Sequence, residues 1–329
     1  MARGMMDSKQ KGMAMLTALL VVAIASALAT SLWYGTALDM ARMHNIQQAY
    51  QAKHLSQGLM LWASDVLKKD YEESDLPWDN NNDNWLQGIK QIPADGTIMS
   101  GGLVGLSDCF NVNNLWRNGE VSENHYQYFK RLLNLLSVDV AVAEQAIDWI
   151  DADQISRPQG AEDFAYLASS PSYQTGSQAF WHESQLKLLQ AVTPEIYDVI
   201  HPYVCVLPAQ SRVTKMNINT LPPIMIRALN PSISEALALS VYQDGSASFS
   251  QLNAFYEHSE MSIITSRAGV KEQLTDLLSV QTRYIQAEAE VLMESSVHDS
   301  YILLRRGGDG AAVALQRAQS PFRLLDAVE

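Results

Sequence analysis

The strongest pattern in the sequence is an uncharged, predominantly apolar run from Gly12 to Leu32. A helix of about twenty residues rises about 1.5 Å per residue and so reaches about 30 Å, the hydrocarbon thickness of a bilayer. In residues 1–11, basic residues outnumber acidic ones by three to one. Basic residues that flank a membrane helix favour the cytoplasmic side. The pattern predicts a single-pass anchor in the inner membrane at 13–32, with the remaining chain on the periplasmic side.

Beyond Leu32 the apolar pattern becomes periodic. Apolar residues recur at steps of mostly three and four among polar residues as far as Val66. This spacing predicts that the same helix continues with one apolar face. We expect it to end near Lys68 and Lys69, because basic residues suit a helix C-terminus.

Short alternating segments predict strands at both ends of the remaining chain. Glycines punctuate apolar runs within 94–115, where Cys109 to Asn113 also partly alternates. Near the other end, 285–291 alternates apolar and polar residues, and 301–304 is its expected partner across a turn at 295–300. Strands early and late in the chain indicate one sheet that an insertion interrupts.

The insertion itself has the pattern of a helical domain. Capping residues precede several stretches with helical apolar spacing, and only 203–207 and 214–218 resemble strands. The predicted organisation is a leader at 1–12, a membrane-spanning segment at 13–32, the outer helix with the first strands at 33–117, an inserted α-helical domain at 118–278, and closing strands with a tail at 279–329.

Two kinds of N-terminal processing fit the apolar run. A cleaved secretory signal requires a shorter apolar core and an exit site of small residues, which 25–27 or 27–29 can supply. At the other end, a Lys-containing leader meets the apolar helix directly at Gly12 and Met13. This junction resembles the type IV prepilin leader. The resemblance implies that prepilin peptidase cuts after Gly12 and leaves Met13 as a methylated N-terminus.

Charge narrows the range of partners. The 329 residues are 47% hydrophobic and carry a formal net charge of −13. An acidic surface repels phosphate backbones, so nucleic acid is a poor partner and cations are better ones. The segment 216–220 and the helices after it look like a helix-hairpin-helix DNA-binding unit, but the expected hairpin at 230–234 has no glycine. We interpret it as a packing motif.

The cysteine content leaves two alternatives. Cys109 and Cys205 can form a disulfide in an oxidising periplasm, or remain two buried free thiols. A disulfide that closes a loop of about a hundred residues stabilises the fold by roughly 4 to 5 kcal/mol in the chain-entropy model.

A group of acidic residues is the best candidate for chemistry. It consists of Asp148, Asp151, Asp153, Glu162 and Asp163. Residues three apart on a helix share a face, and the turn at 158–160 can return the later carboxylates to the earlier ones. Oxygen ligands without His or Cys suit Ca²⁺ rather than zinc. The alternative is a solvated acidic loop beside Arg157.

Catalytic function has little support in the sequence. His182 lies beside Glu183 and Ser184, and the paired carboxylates could serve a glycosidase. However, the sequence contains no nucleophile elbow, zinc-protease motif or phosphate-binding loop. We therefore expect an interaction protein and not an enzyme.

Several blocks of the sequence together resemble the minor pseudopilin K family of type II secretion systems, and the resemblance runs along most of the chain. The blocks are the junction at Gly12 with Thr17 at the fifth mature position, 107–115, 148–153 with 160–163, 192–197, 216–220 and 278–280.

This resemblance implies an α+β, pilin-like fold, in which a long N-terminal helix packs on an antiparallel sheet that carries a large inserted α-helical domain. It also implies a position at the tip of the periplasmic pseudopilus with minor pseudopilins I and J, possible contact with secreted substrates or the secretin, and calcium at the acidic residues. Most prepilins carry Glu where this chain has Thr17. A tip subunit has no neighbour above it whose terminal ammonium needs that Glu, because an unpaired charge is costly in lipid.

The main alternative is a signal-anchored periplasmic protein that binds a ligand through its helical domain. Co-purification with two other prepilin-type proteins would distinguish the two functions.

Overall fold

The computed structural model describes residues 8–73, 78–94, 97–208, 213–293 and 296–323. The chain forms two compact units that divide between Leu55 and Ser56. The helices are α1 (Ser8–Glu73), α2 (Glu123–Leu135), α3 (Ala141–Ile150), α4 (Asp163–Leu167), α5 (Pro194–Ile200), α6 (Pro223–Leu229), α7 (Glu235–Tyr242), α8 (Leu252–Tyr256), α9 (Met261–Thr265) and α10 (Val270–Leu277). The strands are β1 (Ile89–Ala94), β2 (Thr97–Gly105), β3 (Phe110–Asn111), β4 (Trp116–Arg117), β5 (Glu120–Val121), β6 (Val204–Cys205), β7 (Met216–Asn217), β8 (Leu278–Ser279), β9 (Tyr284–Met293), β10 (Ser296–Arg306) and β11 (Ala312–Ala318).

Helix α1 contains the predicted anchor. Within the described residues, one stretch of helix, Met13–Glu72, is long and apolar enough to cross a membrane. The leader residues 1–7 lie outside the described residues. The helix ends at Glu73, later than the predicted Lys69. Ion pairs from Asp65 to Lys69 (2.8 Å) and from Lys68 to Glu72 (3.6 Å) connect successive turns through this end.

The main sheet has five antiparallel strands in the order β1-β2-β9-β10-β11. Alternation along β9 places Ile285 and Ala287 on the buried face, where they cluster with Ala63 and Leu67 of α1. The packing of a long helix on an antiparallel sheet confirms the pilin-like α+β fold predicted from the sequence.

The turn predicted at 295–300 is wrong. Strand β10 begins at Ser296, and Ser296 to Ser300 pair with 289–293 of β9. Residues 296–300 are half-buried or exposed, so both of their faces accept polar side chains. The hydrophobic alternation that marks a strand is therefore weak there.

Residues 106–283 lie between β2 and β9, and most of the regular secondary structure described in them is helical. Their large core brings together residues from α2, α3, α6 and α7, including the fully buried Phe129, Ile147 and Ile226. The expected bounds of the insertion, 118 and 278, both lie inside this segment.

Two Asn-x-Asn sequences connect distant segments of the insertion, and the second also bonds to Asp79 outside it. Asn113 donates to the carbonyls of Phe180 and Leu207, both at 2.9 Å. Asn219 donates to the carbonyls of Asp79 and Phe249, both at 3.1 Å. In each sequence the first Asn accepts a bond from the backbone of the second, at 3.2 and 3.1 Å. Of the segment 109–113, expected to alternate as a strand, Phe110–Asn111 form the short strand β3, and Val112 and Asn113 begin a buried 3₁₀ helix, Val112–Leu115.

Cys109 and Cys205 form a disulfide, so the alternative of two free thiols is excluded in this structure. The bond lies beside the parallel pair β3–β6, where Asn111 pairs with Cys205. It is packed against the sheet residues Tyr284 and Leu303. The disulfide therefore fixes the base of the insertion, where the chain has just left the sheet.

Candidate metal centre

Two elements of the insertion supply a compact group of carboxylates. Asp148 lies in the last turn of α3, and Asp151 follows the end of that helix in extended conformation. Glu162 lies immediately before α4. One carboxylate oxygen from each residue lies within 4.8 Å of the others. We refer to Asp148, Asp151 and Glu162 as the acidic trio.

The acidic trio is buried and incompletely bonded. The relative exposure is 0% for Asp148, 5% for Asp151 and 4% for Glu162. Oδ1 of each aspartate and both carboxylate oxygens of Glu162 are buried without a hydrogen-bond partner. Buried polar atoms are normally hydrogen-bonded, because their desolvation is otherwise uncompensated. These oxygens are therefore suited to an external cation.

Burial and repulsion between carboxylates raise the pKa values of all three members of the acidic trio. Burial, together with the charges of Asp153 and Asp148, raises the pKa of Asp151 to about 6. Burial and the surrounding carboxylates, with Asp148 the largest contributor among them, raise the pKa of Glu162 to about 7. Burial also raises the pKa of Asp148. Close carboxylates resist simultaneous ionisation unless a positive charge lies between them.

The Arg157 side chain does not belong to the acidic trio. Its backbone N–H donates to Oδ2 of Asp148 at 3.1 Å, while its guanidinium bonds to the buried Glu144. Tyr126 also bonds to Glu144, and the Arg157 guanidinium lies 5.3 Å from the Tyr126 ring centre. Arg157 therefore fixes the loop against α3 and uses its charge mainly on Glu144.

Gly160 is required by the close approach of the loop to Asp148. A Cβ atom at this position would lie 1.9 Å from Oδ2 of Asp148. That distance is far inside van der Waals contact, so any side chain must displace the carboxylate or the loop. The sequence indicated only a turn here; the need for glycine follows from the packing.

The structure does not bring Asp153 and Asp163 into the same group. Asp153 is exposed, and its Oδ1 accepts a bond from the Ile155 backbone at 2.8 Å. Asp163 accepts bonds from the backbone and hydroxyl of Thr175, both at 2.8 Å, and from Gln174 at 3.2 Å. Both carboxylates add negative charge around Glu162 but are occupied with holding loops.

Comparisons with known proteins place this site within one family. Residues 108–209 match the family model described as "Type II secretion system (T2SS), protein K", and this range includes all five acidic residues and both cysteines. Type II secretion system protein K of Pectobacterium carotovorum subsp. carotovorum is 30% identical over 228 residues, which cover 66% of this chain and 68% of that protein. The chain belongs to the type II secretion system protein K family.

Other members of the protein K family extend the similarity. The protein of Pseudomonas aeruginosa is 28% identical over 321 residues, 94% of this chain and 92% of that protein. The protein of Klebsiella pneumoniae is 29% identical over 238 residues, 69% of this chain and 72% of that protein. These matches confirm the family expected from the sequence blocks, and with it a minor pseudopilin of type II secretion.

A solved structure supports the fold. A chain in the crystal structure of the GspK-GspI-GspJ complex from enterotoxigenic Escherichia coli matches with a TM-score of 0.72 at 22% identity. The match covers 84% of this chain and 98% of that chain.

The residues expected to act in processing and assembly lie in α1. Gly12 and Met13 are helical, so the expected cleavage junction lies within the helix as described. Thr17 donates from its hydroxyl to the Ala14 carbonyl at 3.0 Å, which satisfies it within the helix. The role of Thr17 between subunits stays a prediction.

Sequence reasoning missed Glu144 as a neighbour of the site. A signal was available, because Glu144 lies four residues before Asp148 on the same helix and therefore on the same face. Its pairing with Arg157 has no comparable signal, because the contact depends on the path of the loop.

Proposed function

We propose that this chain is the minor pseudopilin that caps the type II secretion pseudopilus. The observation that carries the proposal is a pilin-like helix and sheet, in a chain of the protein K family, with 106–283 inserted between two neighbouring strands of the sheet. A pilin-like unit can join a fibre through its helix, while a large insertion occupies space that a further subunit would need. Deletion of 106–283 should yield longer or more numerous pseudopili, and unchanged pseudopili would contradict a capping role.

The proposed anchor is the N-terminal part of α1, held in the inner membrane with the remaining chain in the periplasm. Its support is the apolar, uncharged stretch from Met13, which lies directly after Gly12. Prepilin peptidase would remove 1–12 and leave Met13 as a methylated N-terminus. N-terminal sequencing and intact mass, from cells with and without the peptidase, test this. A start beyond Ser26 would instead indicate a secretory signal.

The proposed partners are minor pseudopilins I and J. They are inferred from the crystal structure of the GspK-GspI-GspJ complex of enterotoxigenic Escherichia coli. Co-expression of the full-length chain with the two prepilin-type proteins of its own secretion system should yield a ternary complex. If neither protein co-purifies, the capping assembly fails while the family assignment stands.

The proposed ligand of the acidic trio is Ca²⁺. The donors are buried oxygen atoms of three carboxylates without partners, and hard oxygen donors are what calcium prefers. Calcium takes about six to eight ligands, so backbone oxygens and water would complete the set. The ion would neutralise the repulsion and connect the end of α3 to the start of α4. Calorimetry with calcium on the wild-type protein and on Asp151→Ala tests this, and equal heats would reject the site.

A further inference from the structure

A basic cleft lies between the insertion and the main sheet, away from the acidic trio. Its volume is about 840 Å³. We define the basic cleft by its cationic side chains, which are Arg117, Lys215, Arg283, Arg305 and Arg306. None of the described residues that line it is acidic. Such a concentration of positive charge is unusual on a chain with a net charge of −13.

The cations of the basic cleft act on one another and on their neighbours. Partial burial lowers the pKa of Lys215, which Asp276 raises and Arg283 lowers further. Arg305 and Arg283 oppose the rise that burial produces in the pKa of Tyr284. Like charges gathered this closely are unfavourable, and a bound anion would relieve them.

The five cations are not equally available. Arg306 is committed to Asp70 and Asp79 and serves the fold. Lys215 donates to the Thr275 carbonyl, which uses part of its bonding capacity. Lys215 keeps further N–H donors and Arg283 is exposed, so we base a ligand site on these two residues.

The remaining lining indicates what kind of anion fits. Apolar side chains from both sides contribute to it, together with hydroxyl groups; they are Leu252, Leu278, Val280, Tyr284, Thr214, Ser250 and Ser279. The volume lies within the range of about 300–1,000 Å³ that is typical of sites for organic ligands, and a single inorganic anion would fill little of it. A mixed basic and apolar lining favours a ligand that carries both carboxylates and apolar groups.

We propose that the basic cleft binds a short acidic segment of a partner protein, whose carboxylates meet Lys215 and Arg283 and whose apolar side chains meet Leu252 and Leu278. This proposal is independent of the capping role and of the calcium site. It adds a second point of attachment at the junction between the insertion and the sheet.

The test uses the full-length protein in uncharged detergent micelles and a fluorescein-labelled peptide that alternates Glu and Leu. A peptide with Gln in place of Glu is the matched probe, and a sulfated oligosaccharide is the probe for an anionic glycan. We expect anisotropy to show binding of the Glu peptide only, weaker at high salt because screening reduces attraction between charges.

Variants locate the binding site. Arg283→Gln should weaken binding of the Glu peptide about tenfold, and Arg283→Lys should restore most of it, as expected for an ion pair. Arg267→Gln, an exposed cation outside the cleft, should leave binding unchanged. Equal binding of the Glu and Gln peptides, equal effects of Arg283→Gln and Arg267→Gln, or binding of the oligosaccharide alone would each overturn the proposal.

Discussion

Two groups of buried or half-buried carboxylates in the larger unit differ in the partners that their charges have. Where α1 meets the sheet, Asp70 and Asp79 bind the Arg306 guanidinium, and we call these three residues the Arg306 network. In the insertion, the nearby Arg157 guanidinium pairs with Glu144 and not with the acidic trio. The first group has a cation that is built into the chain, whereas the proposed cation of the second comes from solution.

The hydrogen bonds show the same contrast. Both carboxylate oxygens of Asp79 are bonded, one to Arg306 and the other to the Thr282 backbone at 2.6 Å. Four oxygens of the acidic trio are buried without a partner. The Arg306 network is therefore a permanent part of the fold, while the stability of the acidic trio should depend on the cation concentration. Five predictions test this difference, ordered from the largest expected effect to the smallest.

The largest effect is expected from Arg306→Met, which removes the cation of the Arg306 network. Loss of one partner from a buried ion pair leaves an uncompensated charge and costs roughly 3–5 kcal/mol. Denaturant unfolding of the full-length protein in micelles should show this loss equally with and without calcium. Arg267→Met is the control, and its exposed side chain predicts a change within about 0.5 kcal/mol. A similar small change for both variants would show that the Arg306 network adds no stability.

The next effect concerns Glu162→Gln, whose sign should depend on calcium. Without calcium the variant should be more stable than wild type, because one of three repelling charges is gone. A ligand at about 100 times its dissociation constant stabilises by about 2.7 kcal/mol. The variant should lose most of this gain, so with calcium it becomes the less stable protein. Thermal unfolding of the variant and of wild type, in EGTA and in calcium, measures both differences in stability. Destabilisation of equal size in EGTA and in calcium would exclude the cation site.

The pH dependence should follow the acidic trio. The folded-state pKa values of Asp151 and Glu162 are raised to about 6 and about 7. A group with a raised folded pKa contributes stability that is present below its unfolded pKa and is lost as pH rises through the folded pKa. Without calcium, the protein should therefore lose stability from about pH 4 to 7, and calcium should oppose that loss.

The matched comparison for the pH dependence is the double variant Asp151→Asn with Glu162→Gln. In this variant, the loss of stability that the acidic trio causes as pH rises should disappear. The comparison is necessary because burial also raises the pKa of Asp83 to about 6, and Asp83 lies outside the acidic trio. An unchanged slope in the double variant would assign the pH dependence to Asp83 or to other groups.

A smaller effect is expected from Gly160→Ala. The new methyl group would lie 1.9 Å from Oδ2 of Asp148, and such overpacking typically costs about 1–3 kcal/mol. It should also weaken calcium binding, because it displaces a donor. Gly308→Ala is the matched control, since no atom lies within 4 Å of its Cβ position. Calorimetry measures the calcium affinity of both variants. Equal affinities would show that the loop adapts without moving Asp148.

The sequence predicted the parts of the fold that leave periodic patterns. The apolar run identified α1, and alternation along 285–291 identified β9. The start of β10 was missed because Ser296 to Ser300 carry polar side chains on both faces. The sequence predicts the end of α1 too early, because the basic residues at 68–69, which suit a helix terminus, form ion pairs inside the helix.

The site was predictable only where its residues share an element. Asp148 and Asp151 follow helical spacing, whereas the return of Glu162 depends on a loop that the sequence does not specify. Burial of the carboxylates also has no signal in composition, so the sequence leaves a solvated loop open as the alternative. The Arg306 network was missed entirely, because Arg306 and Asp79 are 227 residues apart and meet only after the sheet has formed.

The smallest effect is expected from Asp153→Asn, which tests whether Asp153 is a calcium ligand or only a charge near the site. The sequence grouped Asp153 with the metal ligands, but its Oδ1 accepts from the Ile155 backbone, and Asn can make the same bond. Stability should change by no more than about 0.5 kcal/mol. Calcium affinity should fall only slightly, because one unit of nearby negative charge is lost. Asp151→Asn is the comparison in the same calorimetric titration. If both variants lose affinity equally, Asp153 is a ligand and the site rearranges when the ion binds.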